Sequence, residues 1–401
     1  MKKWEAILLS IIIFSGCKKP YNPPAITAPG TYLVVEGAID AGSDSTIITI
    51  SRTVKLSSTS AANPVQHAIV TVESDQNAVY PLNETAKGRY VAAGLDLDNT
   101  RKYRLSIKTT NNEQYYSNYE SVLNSPPIDS LYYTIATNGI NIYTNTHDPA
   151  NTVKYYRWDY QETWIYHSAF NSYFYSNGDT VLIRPANNQV YTCWGSDTSS
   201  NVLLASTFNL TNDVADNNPI AFVASTSYKL EIEYSILVKQ YALTSDAYNF
   251  WLNLKKNTEQ LGSIFDAQPS QINGNIYCQT NPAEPVIGYI SVGSVSSQRI
   301  FIRSQQLPGW AAADPYSECA LDTELYAVYP YRNDSTYVIN EVNITINYNS
   351  GDFSKNLGGP LIPVGAIGGS LYQPIAGFSA ATPICVDCTL RGTNVEPNFW
   401  K

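Results

Sequence analysis

The sequence predicts a mainly β protein. The prediction is an N-terminal immunoglobulin-like or transthyretin-like β-sandwich, then a larger β-sandwich domain with one α-helix and a long loop-rich insertion. Three observations carry it. Apolar residues alternate with polar ones over many short runs, the period of a half-buried strand. Gly, Asn, Asp and Ser clusters separate those runs at the even spacing typical of sandwiches. Only one stretch repeats its apolar residues at helical spacing. At 401 residues, 44% of them hydrophobic, the chain can fill more than one core. It holds 31 Tyr against 11 Phe, six Cys, three His and one Met, with charged residues at 15% and a net charge of −9. An acidic chain of this kind lacks the basic face that nucleic acid requires, so nucleic acid is excluded as a partner.

The elements follow in order. Residues 1–16 read as a lipoprotein signal peptide. Lys2 and Lys3 precede the apolar run Ala6 to Phe14, which is too short to span about 30 Å of hydrocarbon. Phe14-Ser15-Gly16-Cys17 has the small-small-Cys pattern of a bacterial lipobox, which makes Cys17 the lipidation site and the mature N-terminus. Acyl chains anchor at about 0.8 kcal/mol per buried CH₂, so a multiply acylated Cys holds firmly to a membrane. Residues 17–30 carry four prolines and read as an extended tether.

The first sandwich is expected over 31–125, with strands at Tyr32–Ile39, Thr46–Val54, Gln66–Glu73, Gly88–Ala93 and Lys102–Thr109. Ser125-Pro126-Pro127 marks its end, since two prolines cannot continue a ladder. The second β-rich domain, 126–401, opens with a hairpin about Asn138-Gly139. A long strand follows from Lys154 to His167. Its even positions Tyr156, Trp158, Tyr160, Trp164 and Tyr166 make one aromatic face, either a core face or a binding platform; a sandwich strand needs an inward apolar face, which favours core. Residues 168–222 read as the insertion, made of irregular strands and loops. Tyr228 to Tyr241 alternates cleanly and reads as a strand. The helix is expected over about 245–261, capped by Thr244 or Ser245, with Ala247, Tyr248, Trp251, Leu254 and Leu261 on one side. Strand signals return at Gly274–Cys278, Val286–Val292, Arg299–Arg303, Leu325–Tyr329 and Val338–Tyr348, and the Gly- and Pro-rich stretch from Gly358 to Gly377 reads as a loop.

Three segments then point to a family: LVVEGAI near the start, the block from Asn257 through Phe265-Asp266-Ala267-Gln268-Pro269 to Cys278, and the tail CVDCTLRGTNVEPNFW. Together they resemble the Bacteroidota outer-membrane lipoproteins grouped as domain of unknown function 4249, over essentially the whole mature chain. The resemblance implies an outer-membrane protein held by its lipid anchor, encoded near TonB-dependent β-barrel transporters, with no established activity. It also implies O-glycosylation at Asp-Ser/Thr positions: Ser45, Ser130, Thr180 and Ser335. Lys18 and Lys19 stand after Cys17, where surface lipoproteins of that phylum often carry acidic residues, so the periplasmic and cell-surface faces both stay open.

Chemistry has little to work with. No nucleophile elbow, zinc-protease helix or phosphate loop is present. The expectation is a protein that is not an enzyme and holds no cofactor and no metal; Asp314, Glu318, Asp322 and Glu324 read as a solvated acidic face rather than a Ca²⁺ site. With Cys17 lipidated, Cys193, Cys278, Cys319, Cys385 and Cys388 remain, an odd number in a compartment that permits disulfides. The expected bridges run from Cys319 to Cys385 or Cys388 and from Cys193 to Cys278, leaving one thiol free. Phe170, Tyr173, Phe174 and Tyr175, in an Asn/Ser/Gly loop with no packing obligation, are the expected contacts for a ligand or transporter. The leading function is a non-catalytic accessory of a TonB-dependent transporter in nutrient uptake. The alternative is a structural or assembly lipoprotein without a small ligand.

Overall fold

The computed structural model describes residues 31–54, 63–177, 180–259, 274–326, 361–370 and 373–400. The signal peptide, Cys17, the tether, Ser335 and the strand expected at Val338–Tyr348 lie outside them.

The first sandwich holds β1 (Leu33–Asp40), β2 (Ser45–Arg52), β3 (Asn63–Pro64), β4 (Ile69–Ser74), β5 (Val79–Ala86), β6 (Arg89–Ala93), β7 (Lys102–Lys108), β8 (Gln114–Ser117) and β9 (Glu120–Ser121). Strand β5 changes partner halfway. Its first half pairs with β4 and its second half with β6, so one ladder folds over to enclose a core. Alternate residues face inward: Leu33, Val35 and Ile39 from β1, Ile48 and Ile50 from β2, Leu105 and Ile107 from β7, all buried.

Next come β10 (Ile128–Ala136), β11 (Gly139–His147), β12 (Tyr155–His167), β13 (Phe174–Ser176), β14 (Val181–Ile183), β15 (Thr192–Thr198), β16 (Leu203–Ser206), β17 (Val214–Ala224) and β18 (Glu233–Ala242). Helix α1 (Ser245–Glu259) follows, capped by Thr244, whose Oγ1 accepts the Ala247 N–H. Then come β19 (Ile276–Cys278), β20 (Val286–Ile287), β21 (Val292–Gly293), β22 (Val295–Arg303), β23 (Asp322–Leu325), β24 (Ile362–Ser370), β25 (Gln373–Ala381) and the short helix α2 (Pro383–Val386).

The second sandwich packs sheet β10-β11-β17 against sheet β15-β12-β18-β22, with β16 also on β12. The aromatic face of β12 is its core: Tyr156, Trp158, Trp164 and Tyr166 are buried, and Tyr160 is half-buried. Three of these rings have bonded polar ends, while Trp164 Nε1 is enclosed without a hydrogen-bond partner. Trp158 Nε1 donates to Gln240 Oε1 at 2.9 Å, Tyr156 donates to Asp213, and Tyr166 donates to the Cys388 carbonyl.

Four expectations change. The region 168–222 is no mere insertion, because β15, β16 and β17 supply regular strands to both sheets of the second sandwich. The run from Tyr228 starts as a 3₁₀ turn, Tyr228–Leu230, because the Ser227 side chain accepts the Lys229 N–H and curls the backbone before β18 begins. Gly358 to Gly377 contains the hairpin β24–β25; glycine admits close approach there, since a Cβ on Gly377 would lie 2.1 Å from the Glu324 carbonyl oxygen of β23. Most important, the division at residue 125 separates the two sandwiches only in part. Strand β19 pairs with β8, and β20 and β21 pair in parallel with β1, so residues 276–293 complete the first sandwich. Arg52 fixes this return, bonding Glu113 at 2.6 Å and Glu284 at 3.2 Å, while Tyr115 donates to Glu284.

Two disulfides secure the C-terminal segment: Cys193–Cys388 and Cys319–Cys385. Cys278 is free and buried in the first core, so the expected Cys193–Cys278 bridge is not made; those two cysteines belong to different sandwiches. Beyond Cys388 the tail runs along β15, exchanging backbone bonds between Trp194 and Thr393, and seats Trp400 on Trp194 and Phe301.

A fragment of residues 31–125 lacks Ile276, Val286, Ile290 and Val292 from its core, and we expect it to show no cooperative unfolding; a sharp denaturation transition from that fragment would contradict the topology. Peptide mapping without reduction is expected to recover the 193–388 and 319–385 pairs with Cys278 alkylatable only after unfolding. Cys388→Ser should lower stability by about 2–5 kcal/mol, read from denaturant midpoints.

Candidate functional site

A cleft of about 840 Å³ lies between the two sandwiches. Its floor on one side is the outward face of β1 and β2, with Glu36, Asp40 and Ile47. Opposite stand the odd positions of β12 and β18: Arg157, Asp159 and Gln161, then Leu237, Lys239 and Tyr241. Helix α1 closes one end with Phe250, Trp251 and Leu254. The helix turns this face to the cleft because Ala247 and Phe250 bury against Leu243 and Tyr289, which fixes its rotation.

Two ion pairs organise the walls. Lys239 Nζ reaches Asp44 Oδ2 at 2.9 Å, from the second sandwich to the first. Arg157 Nη2 reaches Asp159 Oδ2 at 3.0 Å, and its guanidinium lies over Tyr241 at 4.5 Å and Trp251 at 4.2 Å. Burial and the Asp159 charge push the Tyr241 hydroxyl far up, so it stays protonated as a donor.

Asp40 is different. It is 3% exposed, and its Oδ1 accepts the Gly42 N–H at 2.8 Å. Its Oδ2 is enclosed and has no partner in hydrogen-bond geometry. Burial, joined by the Asp44 charge, holds this carboxyl above the usual range, although the Gly42 and Val295 amides and Lys239 pull the other way.

The expected contact residues lie elsewhere. Phe174 packs edge-on against Phe378 at 5.1 Å, and Phe170 packs beside Cys385 and Val386, so both serve the small C-terminal sheet. Tyr175 is half-buried, and Tyr173 alone is open, at 61%. Their loop is therefore not free of packing obligations; its partners come from residues about 200 positions later, beyond the reach of local pattern.

The three histidines are dispersed. His67 is on an exposed turn near Glu84. His147 bonds Asp129 at 2.7 Å, and that hydrogen bond and charge raise its pKa. His167 stacks on Tyr191 at 4.4 Å. Among the described residues no three His, Cys, Asp or Glu side chains gather as a metal requires. Of the acidic residues near 314–324, Asp314 caps the Tyr316 amide and Glu324 is buried in β23 rather than solvated. Ser45 and Ser130 sit half-buried within strands, and Thr180 is exposed.

Sequence reasoning missed the cleft. Its walls come from β1, β2, β12, β18, α1 and the 198–202 loop, and the polar odd positions of β12 read as solvent-facing.

Fold and site define a mainly β, two-sandwich protein with a ligand-sized cleft at the interface. A family model described as domain of unknown function (DUF4249) matches residues 18–299, and the chain belongs to this family of Bacteroidota outer-membrane lipoproteins. The match spans the first sandwich, the whole cleft and the second sandwich as far as residue 299 in β22, and ends before the cysteine-bearing tail, which is narrower than the resemblance implied. None of the curated proteins matches the chain.

The raised carboxyl of Asp40 gives a stability prediction. Burial disfavours its charged form in the fold more than in the unfolded chain, so the stability it contributes is full in acid and is lost as pH rises through the folded-state value. Asp40→Asn keeps an oxygen for the Gly42 amide. It should equal or exceed the wild type in stability at neutral pH and lose that advantage below about pH 4; denaturation midpoints across pH check this, and a less stable variant at neutral pH contradicts it.

Proposed function

We propose that the protein is a non-catalytic binding lipoprotein, anchored in the outer membrane through Cys17, that assists a TonB-dependent transporter in nutrient uptake. The observation that carries the binding role is the cleft. Its volume suits one small ligand, its wall is mainly apolar and aromatic, and a few polar groups converge on it, the combination usual for small-molecule sites. The family supports an envelope setting. In the same reading the first sandwich is immunoglobulin-like or transthyretin-like, supported by its short antiparallel strands and the sheet change at β5. Tyr173, exposed at the edge of the C-terminal sheet, is the transporter contact that remains of the four proposed from sequence.

Purification from native membranes in mild detergent tests this. A large β-barrel is expected to accompany the protein, and Tyr173→Ala is expected to reduce the recovered barrel several-fold while leaving the lipoprotein's own yield unchanged. Recovery of the lipoprotein alone overturns the transporter role.

A further inference from the structure

We infer that the cleft takes a ligand carrying a cationic nitrogen, an ammonium or guanidinium, on an apolar body. The inference rests on reading the cleft as a binding site and names the ligand's chemistry.

Charge accounting at the β1 end comes first. Glu36, Asp40 and Asp44 line it, and Lys239 is the one cation there, already held by Asp44. At the other wall Arg157 is held by Asp159. The cleft thus contains four carboxylates and two cations, and both cations are paired. Among the described residues, Glu36 and Asp40 have no cation of their own. Asp40 is also the enclosed carboxylate with an unpartnered oxygen. A largely desolvated carboxylate beside the cleft costs stability, and a cation seated next to it in a low-dielectric wall recovers part of that cost.

The rest of the wall suits the body of such a ligand. Phe250 lies against Trp251 and Tyr289 with ring centroids 5.5 and 5.7 Å apart, and Leu254 continues the apolar strip. These rings offer faces that attract cations and edges that pack on hydrocarbon. Arg157 between Tyr241 and Trp251 shows that this wall already accommodates a planar cation. A metal ion fits poorly: Ca²⁺ wants six to eight oxygens, and among the described residues no group of three metal-ligating side chains is present. An anionic ligand meets the unpaired carboxylates and is repelled.

The test uses the full-length lipoprotein in detergent micelles and three fluorinated probes followed by ¹⁹F NMR titration, with empty micelles as reference. The probes are 4-fluorophenethylammonium, 2-(4-fluorophenyl)ethanol and 3-(4-fluorophenyl)propanoate, which share a body and differ in head group. The ammonium is expected to bind about tenfold more tightly than the alcohol, equivalent to about 1.4 kcal/mol, and the propanoate most weakly. Asp40→Asn should remove most of that preference and leave alcohol binding unchanged. Glu36→Gln, at an exposed position that the fold does not depend on, should remove part of it. If all three probes bind alike and Leu254→Ala or Trp251→Ala weakens them together, the cleft binds ligands without selecting cations; this inference fails while the binding reading stands. If no probe binds, or binding ignores both wall variants, the binding reading fails and this inference with it.

Discussion

Strand β1 takes antiparallel β2 on one edge and, on the other, the parallel strands β20 and β21, which the chain reaches only after building the second sandwich. Parallel neighbours need a crossover connection, usually one helix. Here the crossover is an entire domain. Gly288 lets the returning chain seat against β1: its φ is +147°, and a Cβ there would stand 2.2 Å from the Val35 carbonyl oxygen. Without this pairing β1 keeps an open edge, the first core loses the side chains of 276–292, and the second sandwich hangs from a single tether. Closing so long a loop delays the reward for forming the contact.

The same return sets the angle between the sandwiches. Strand β21 runs into β22 with only Ser294 between them, and the outgoing segment lies beside it. Leu123 donates to the Val292 carbonyl, Ser125 to Ser294, and Ile128 to Ser296 Oγ. Two chain crossings bonded to each other make a ribbon rather than a swivel. Gln240, wholly buried, ties that ribbon to the second core through the Pro126 carbonyl and Thr146 Oγ1 while also accepting from Trp158. A fully satisfied polar group in that position specifies one arrangement, since any other leaves it unpaired. The cleft is the space that this arrangement leaves between the sandwiches.

The sequence showed what is local. Alternation identified β1, β2, β7, β11 and β12, and helical spacing with a cap at Thr244 or Ser245 identified α1. The hairpin signal at Asn138-Gly139 was right in kind, though the turn residues are Thr137 and Asn138 and Gly139 already pairs with Ala136. What failed was long-range. Nothing in Val286–Gly293 says that its partner is Leu33–Asp40, and glycines in β24 and β25 suggest a loop until a third strand is seen to press on Gly377. The cysteines show the same division: Cys319 with Cys385 was among the expected pairs, but Cys193 with Cys388 depends on the tail lying along β15, a tertiary fact. The aromatic face of β12 was legible because its residues must face a core; the packing of Phe174 was not, because Phe378 is on another element.

The outer face of sheet β15-β12-β18-β22 ties these points together. Its polarity (Arg157, Asp159, Gln161, Lys239) is that of a strand facing water, yet Arg157, Asp159 and Lys239 are only partly exposed. The C-terminal tail covers one end, with Trp400 donating to Glu233 and resting on Phe301, and the first sandwich and α1 roof the other. A protein that merely buried this face would gain by making it apolar, since paired charges taken from water return little net stability. Retaining Arg157–Asp159 and Lys239–Asp44 keeps the roofed end polar, wide enough for a ligand, and acidic on balance. The tail end, by contrast, is filled with indole and phenyl rings. One sheet face is therefore built in two ways, sealed where the disulfide-bound tail lies and open where the first sandwich and α1 face it, and that contrast is why the cleft reads as a site rather than as imperfect packing between domains.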